Sequence, residues 1–577
     1  MAAAVTEGQR LRGHGERGWA EAGWDLKKRT LSEKLQKLVL TYGELAQATY
    51  DNVGTDRSQP ATFGYCLMEQ QPNRLLAYLT DKYPLAPGAN GPEPKLWGTA
   101  KTYELPPVCV EDSLSPIFYA RPGKSSANNP PVACGKLGVL EAAADKVFAT
   151  VAGAAATLVD GSNGGRRLFV PDPDTGRGVV ERGAFIGYIA VSTTKVLGGE
   201  VDVAIVWRGT IFKEEWESNF ASDKLTEWVS DPKAKANSLK PGGGGDDYKA
   251  PSPTEVGVHD GFDDIYNRRT DQPGYTQRAQ KTQGSKAGQL SPREALRMWL
   301  PRLFEKYNVT TVTCTGHSLG GGLATLAAFG AADLLESSWD GAWAAERKKG
   351  DGWKTEAKPK VSLFSFASPR VGNYTFGQTM RKRVAVMRVV NKGDVVPLVP
   401  GIVVQGLSWL VEAVPRAGKR AAIDSNSWLV QGCQALYYWV SRATSLLYPD
   451  KYGYFHVGQV LLLDTGDATG TVRPGAGKHN LELHLHLVSR LGQRPGMPRN
   501  PLLMNKHGDQ WTNDDAPADW WHAPLRRHCT QLPDGRWTHL RAYPATAPVG
   551  VPAPATAPAE VAAPAAAPAG VAAADDG

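Results

Sequence analysis

The amino-acid sequence predicts an α/β fold, with a mostly parallel central sheet covered by helices on both faces. Three features carry this prediction. Short β-branched runs bounded by turn residues recur through the middle of the chain, helical periodicities fall between them, and one such run enters a glycine-rich corner followed by a helix of small and apolar residues.

The bulk properties fit one large globular unit. The chain has 577 residues, 42% of them hydrophobic and 21% charged, which is ordinary globular composition. The net charge of +7 comes from 65 basic and 58 acidic residues with no dense Lys/Arg block. This argues against a nucleic-acid partner and for a solvated surface with at most a weak pull toward anionic lipid. Cys66, Cys109, Cys134, Cys314, Cys433 and Cys529 are scattered, without metal-ligand spacing, and read as free thiols of a reducing compartment. The opening residues lack the apolar core of a secretory signal. No run of 18 apolar residues suggests a membrane span. The expected location is the cytosol, with peripheral contact at membranes.

In chain order, residues 1–23 read as a flexible N-terminus and residues 24–50 as a helix, because Leu31, Leu35, Leu38, Val39 and Leu45 recur at helical spacing. Residues 184–192 and 201–207 read as buried strands. The Gly-rich stretch 241–255 reads as a mobile loop, and residues 292–307 as a helix broken or kinked at Pro301. Val309–Cys314 is a β-branched strand, with a helix starting at Leu319. Residues 361–368, 384–391 and 454–464 supply further strands. The result is one α/β domain over 24–540, with an insertion at about 402–450 and a disordered Ala/Pro-rich tail over 541–577.

The chemistry concentrates at Gly316-His317-Ser318-Leu319-Gly320. G-x-S-x-G between a strand and a helix is the nucleophile corner of an α/β-hydrolase fold, where glycines let the chain turn and the serine hydroxyl stands above the sheet. The alternative is a serine in a packing turn. As catalyst, Ser318 needs a base and the base needs a carboxylate, in chain order Ser, Asp, His. Asp394 follows a predicted strand, where a loop would carry it to the sheet's upper edge; a plain turn aspartate is the rival reading. Four downstream histidines remain as bases. His456 heads an apolar strand and reads as structural, His484 and His486 fall inside a helical stretch, and His479 sits on a loop entering that helix. The Leu319 amide lies at a helix N-terminus, where it can stabilise an oxyanion.

The stretches TYGELAQATYD (41–51), VWRGT (206–210), TGHSLGGGLATLAA (315–328), FASPRVGN (366–373), VVNKGDVVP (389–397) and HNLELHLH (479–486) together resemble the plant class 3 lipases, in particular their phospholipase A1-type acylhydrolases. The resemblance runs from about residue 24 to 540. It implies Ser318 as nucleophile, Asp394 as acid and His479 as base, with His486 as the reserve candidate. It implies Thr210 as the residue whose amide completes the oxyanion hole with Leu319. It also implies a lid after Thr210, near the Gly-rich stretch.

The segment 402–450 departs from that pattern and reads as an added helix or as an apolar flap that meets lipid. The expected activity is hydrolysis of lipid acyl esters through an acyl-enzyme, with lipid at a membrane or micelle surface as partner. No metal or cofactor motif is present: H-E-x-x-H is absent, and Gly320-Gly321-Gly322 lacks phosphate-loop spacing. The rivals are a catalytically silent scaffold of this fold, a soluble-ester or thioester hydrolase, and a triacylglycerol or galactolipid lipase. Head group, acyl position and oligomeric state are not legible in the sequence.

Overall fold

The computed structural model describes residues 5–25, 30–54, 64–70, 103–106, 115–120, 169–171, 179–181, 183–192, 200–211, 225–230, 254–271, 289–348, 353–392, 394, 396–400, 454–464, 479–491, 529–531 and 537–539. All of them fall in one compact unit, Met1–Leu540. The 402–450 insertion, residues 241–253 and the 541–577 tail lie outside the described residues.

Eight strands form the central sheet: β1 (Tyr103–Glu104), β2 (Ile117–Ala120), β3 (Ala184–Ser192), β4 (Val201–Trp207), β5 (Val309–His317), β6 (Lys360–Phe366), β7 (Val384–Asn391) and β8 (Gln459–Leu463). Their order is β8-β7-β6-β5-β4-β3-β1, with β2 also on β3. Strands β4 to β8 are parallel, and β3, β2 and β1 add antiparallel pairings at one side. This is the mostly parallel sheet that the sequence predicts. Its parallel strands β4 to β6 are largely buried because both faces of the sheet are covered.

Alternation along β5 separates the two faces. Val312 and Cys314 join the apolar cluster that includes helices α4 (Pro292–Lys306) and α5 (Leu319–Ser338). Thr311, Thr313 and Thr315 point the other way, toward α2 (Glu33–Asp51), where Tyr42 accepts the Thr315 hydroxyl at its carbonyl and stacks on Phe364. Helix α5 is buried from Leu319 to Ala332, as befits a helix that is apolar all round. On the α2 face lies α7 (Leu481–Arg490). Gly43 lets the two approach, since a Cβ there would stand 2.2 Å from Leu485 Cδ2.

Several boundaries differ from expectation. Helix α2 begins at Glu33, not at 24, because Ser32 caps it by accepting from the Leu35 amide. Trp24–Asp25 pairs with Thr30–Leu31 instead. Helix α4 runs unbroken through Pro301. A Ser291/Glu294 capping box with Pro292 at its first turn starts it firmly. Strand β8 begins at Gln459 rather than 454.

The N-terminus is the largest correction, because residues 5–25 are folded rather than flexible. Helix α1 (Glu7–Leu11) carries a Thr6/Gln9 capping box. Trp19 is buried, donates its indole N–H to the Val386 carbonyl and meets Phe364 edge-on. Arg12, 1% exposed, reaches under the sheet to Asp202 and Tyr42. The buried anchors are single residues in a charged, Gly-rich stretch, so no periodicity announced them.

Candidate active site

The corner after β5 places Ser318. Its backbone has φ 59° and ψ −129°, a conformation that costs a residue with a side chain on the order of 1–3 kcal/mol. Packing enforces it. A Cβ on Gly316 would stand 2.2 Å from the Gly320 carbonyl oxygen, and one on Gly320 would stand 2.4 Å from the Trp207 carbonyl oxygen. Both contacts are with backbone, which cannot swing away, and this is the physical content of the two motif glycines. The Ser318 amide donates to the Phe366 carbonyl of β6, pinning the corner from the side. Leu319 is the first helical residue and is buried, so its N–H has no intrahelical acceptor.

Thr210 lies just past β4, beside the same corner. A Cβ on Gly209 would stand 2.7 Å from the His317 carbonyl oxygen, so only glycine allows this approach. Arg208 holds the turn by donating to the carbonyls of Phe185 and Gly209 at 2.6 and 2.7 Å. Thr210 is 8% exposed.

Asp394 and His479 meet although 85 positions separate them. Asp394 sits past the end of β7, its carboxylate accepting from the Val396 amide at 3.0 Å. His479 directly precedes α7, and its Nδ1–H donates to Asp394 Oδ2 at 2.8 Å. The carboxylate can only accept, so Nδ1 carries the proton and Nε2 presents a lone pair. That Nε2 is buried and has no hydrogen-bond partner among the described residues. A neutral imidazole with an unpartnered Nε2 can accept a proton.

The other expected bases sort by position. His456 donates from Nε2 to the Pro397 carbonyl at 2.6 Å and ties the lead into β8 to the loop carrying Asp394. Burial, with Arg388 and Arg370 nearby, pushes its pKa well below the ordinary imidazole value, so it is a neutral strut. The His486 side chain lies outside the described residues.

Two further histidines neighbour the pair, the candidate base His484 and His317, to which the sequence reading gives no role. His484 is fully buried, with Nε2 3.9 Å from Asp394 Oδ2 and Nδ1–H donating to the Asn480 carbonyl. Burial lowers its pKa despite Asp394 and keeps the ring neutral. The four-residue spacing from Asn480 was the available signal, since it stacks both on one helix face. The second is His317, whose ring lies 4.6 Å from that of His479 between centroids. Its signal was its position beside the serine.

Among the described residues, no group of three or more His, Cys, Asp or Glu could hold a metal ion, and no helix is long and apolar enough to cross a membrane. Cys66 and Cys314 are buried, and neither forms a disulfide.

Comparison with known proteins adds to this geometry. The family model for lipase (class 3) matches residues 204–404, which span β4, the serine corner and Asp394. Phospholipase A1-Igamma1, chloroplastic, of Arabidopsis thaliana is 30% identical over 371 residues, covering 61% of this chain and 58% of that protein. Galactolipase DONGLE, chloroplastic, from the same plant is 30% identical over 226 residues, covering 38% of each. The M37 lipase crystal structure aligns at 15% identity over 56% of this chain and 74% of that one, with a TM-score of 0.28. The chain spans a little over half the length of the first curated relatives, 58% and 56%. The serine corner and Asp394 thus both lie inside the segment that matches the class 3 lipase family, on a sheet with α/β-hydrolase strand order.

Proposed function

We propose that this protein is a serine acyl-ester hydrolase of phospholipase A1 type, acting on lipids at a membrane or micelle surface. The observation that carries the reading is the paired geometry. Ser318 is held in a strained conformation at a strand-to-helix corner, and an Asp394-oriented imidazole with an unpartnered Nε2 packs against the ring of His317, the residue before Ser318.

In the proposed reaction Ser318 Oγ attacks the ester carbonyl carbon while His479 Nε2 takes its proton. Asp394 holds the Nδ1–H tautomer and stabilises the imidazolium that forms. The amides of Leu319 and Thr210 receive the negative charge on the carbonyl oxygen. Collapse expels the lipid alcohol, which takes the proton back from His479, and leaves the acyl group on Ser318. Water activated by His479 then releases the fatty acid and restores the serine. Every proton moves between groups of this chain, substrate and water.

The relatives' names mention both phospholipase A1 and galactolipase. Phospholipid is the favoured substrate here because most of the curated relatives quoted carry that name over the longer matches. A cytosolic location, reached by association with membrane surfaces, is the companion proposal. The Arabidopsis relatives are named chloroplastic, and cell fractionation distinguishes the two locations.

The test is a lipid panel of phospholipids, galactolipids and triacylglycerol, read out as free fatty acid and lysolipid isomer. The purified chain is expected to release the sn-1 fatty acid from phospholipid, and Ser318→Ala to lower kcat on the order of 10⁶-fold. A Ser318→Ala protein as active as the parent refutes the assignment.

A further inference from the structure

The reaction above assigns roles to Ser318, Asp394 and His479 but none to His317, the residue between the motif glycine and the serine. Its side chain is buried and bound at both nitrogens. Nδ1 lies 2.7 Å from the Tyr50 hydroxyl oxygen near the end of α2. Nε2 lies 2.7 Å from the main-chain carbonyl oxygen of His479. A carbonyl oxygen only accepts, so Nε2 carries the proton, and in the neutral ring Nδ1 accepts from Tyr50 O–H. One tautomer satisfies both contacts.

We infer that His317 is a positioning residue for the base: with Tyr50 it forms a strut that fixes the backbone of His479 relative to Ser318. The inference rests on the esterase reading. The His479 ring is oriented from its far side by Asp394, which leaves the distance between ring and serine undetermined. His317 supplies that second restraint. It is covalently next to the nucleophile and hydrogen-bonded to the main chain of the base. Its ring also packs against the His479 ring at 4.6 Å and meets His484 edge-on at 6.0 Å. Tyr50 sets the ring in turn, and it does so beside Gly209, where a Cβ would stand 1.9 Å from the Tyr50 hydroxyl. The strut therefore touches three loops at once: the serine corner, the turn carrying Thr210 and the entry to α7.

Misplacement of a reacting group by about 1 Å costs on the order of 100-fold in rate, and this sets the size of the effect. The test compares His317→Leu, His317→Gln and Tyr50→Phe in the full chain, measuring kcat and KM on the best substrate of the lipid panel, the rate of Ser318 labelling by a fluorophosphonate, and the melting temperature. Leucine fills the space without donating. Glutamine returns an N–H near the position of Nε2.

His317→Leu is expected to lower kcat and labelling together by roughly 10- to 100-fold with KM within about 2-fold. Glutamine is expected to restore most of that loss, and Tyr50→Phe to show a smaller loss of about 3- to 10-fold with melting unchanged. Tyr50→Phe also keeps the proposal open to test if His317→Leu fails to fold. An active parent whose leucine or phenylalanine variant keeps kcat, or whose glutamine variant is no better than leucine, overturns the strut alone. A parent that neither hydrolyses lipid esters nor reacts with the probe overturns the esterase reading itself.

Discussion

Replacing Arg12 by methionine isolates the bond that folds the N-terminus against the sheet. Arg12 and Asp202 are each 1% exposed. The Asp202 carboxylate accepts four hydroxyls, from Tyr42 at 2.8 Å, Tyr103 at 2.7 Å, Thr311 at 2.5 Å and Thr313 at 2.7 Å. Arg12 Nε donates to the Tyr42 oxygen at 2.9 Å and lies 3.7 Å from Asp202 Oδ1, while Nη1 donates to the Gly8 carbonyl. Removing one partner of a buried ion pair typically costs about 3–5 kcal/mol. The four hydroxyls continue to solvate the anion and the cation is beyond direct hydrogen-bond reach, so the expected loss sits at the lower end, about 3 kcal/mol. Methionine keeps the apolar stem packed and confines the change to charge and hydrogen bonding. The measurement is urea unfolding of parent, Arg12→Met, Asp202→Asn and the double variant. A coupling of about 1–3 kcal/mol is expected, since the residues share one network. Asp202 stands near the start of β4, whereas Ser318 follows the end of the neighbouring β5, so the surviving folded protein should keep its esterase kcat. A loss under about 1 kcal/mol, or strict additivity of the two single changes, refutes the view that this pair holds the N-terminal segment.

Three further outcomes are expected. Asp394→Asn should lower kcat by on the order of 10⁴ while leaving folding largely intact, because the amide favours the wrong His479 tautomer; steady-state kinetics on the folded variant checks it. Ser318→Gly should melt above Ser318→Ala, since glycine adopts the positive φ of 59° without strain worth on the order of 1 kcal/mol; equal melting temperatures would dismiss the strain. His14 should make the fold acid-sensitive. Its Nε2 meets the Ser362 hydroxyl, and burial with Lys360 and Arg12 nearby pushes its pKa from 6.5 down to about 3. The unfolded chain then binds the extra proton between those values, so the stability this neutral ring contributes is present above pH 6.5 and is lost as pH falls toward 3. At about pH 5 the loss from this group is up to about 2 kcal/mol, and His14→Asn should flatten the pH dependence of the urea midpoint.

What the sequence revealed follows from how each feature is encoded. The strands β3 to β7 were legible because each is a run of β-branched or apolar residues with turn residues at its ends, and the helix after Ser318 because its small side chains leave it nowhere to go but the core. Asp394 and His479 were assignable in sequence, but their 2.8 Å contact is a product of topology: parallel strands bring their C-terminal ends to one edge, however far apart they lie in the chain. The N-terminal segment was misread because Arg12 looks like a solvated cation until Asp202 and two tyrosines surround it. Its burial is decided by a carboxylate 190 positions away, and no local pattern encodes that.

His317 marks the boundary between these cases. Its neighbours in sequence announce a nucleophile, and the same reading treats it as the variable position of the motif. The fold gives that position a constraint of its own. The corner that turns the chain at Ser318 also turns the preceding side chain toward α2 and α7, and a donor there meets the His479 carbonyl. The strained backbone of Ser318 and the side chain that meets the His479 carbonyl thus stand on adjacent residues of one turn. The cost of the left-handed serine is met by sheet and helix packing at Gly316 and Gly320, so the same glycines that admit the nucleophile also hold the strut in register.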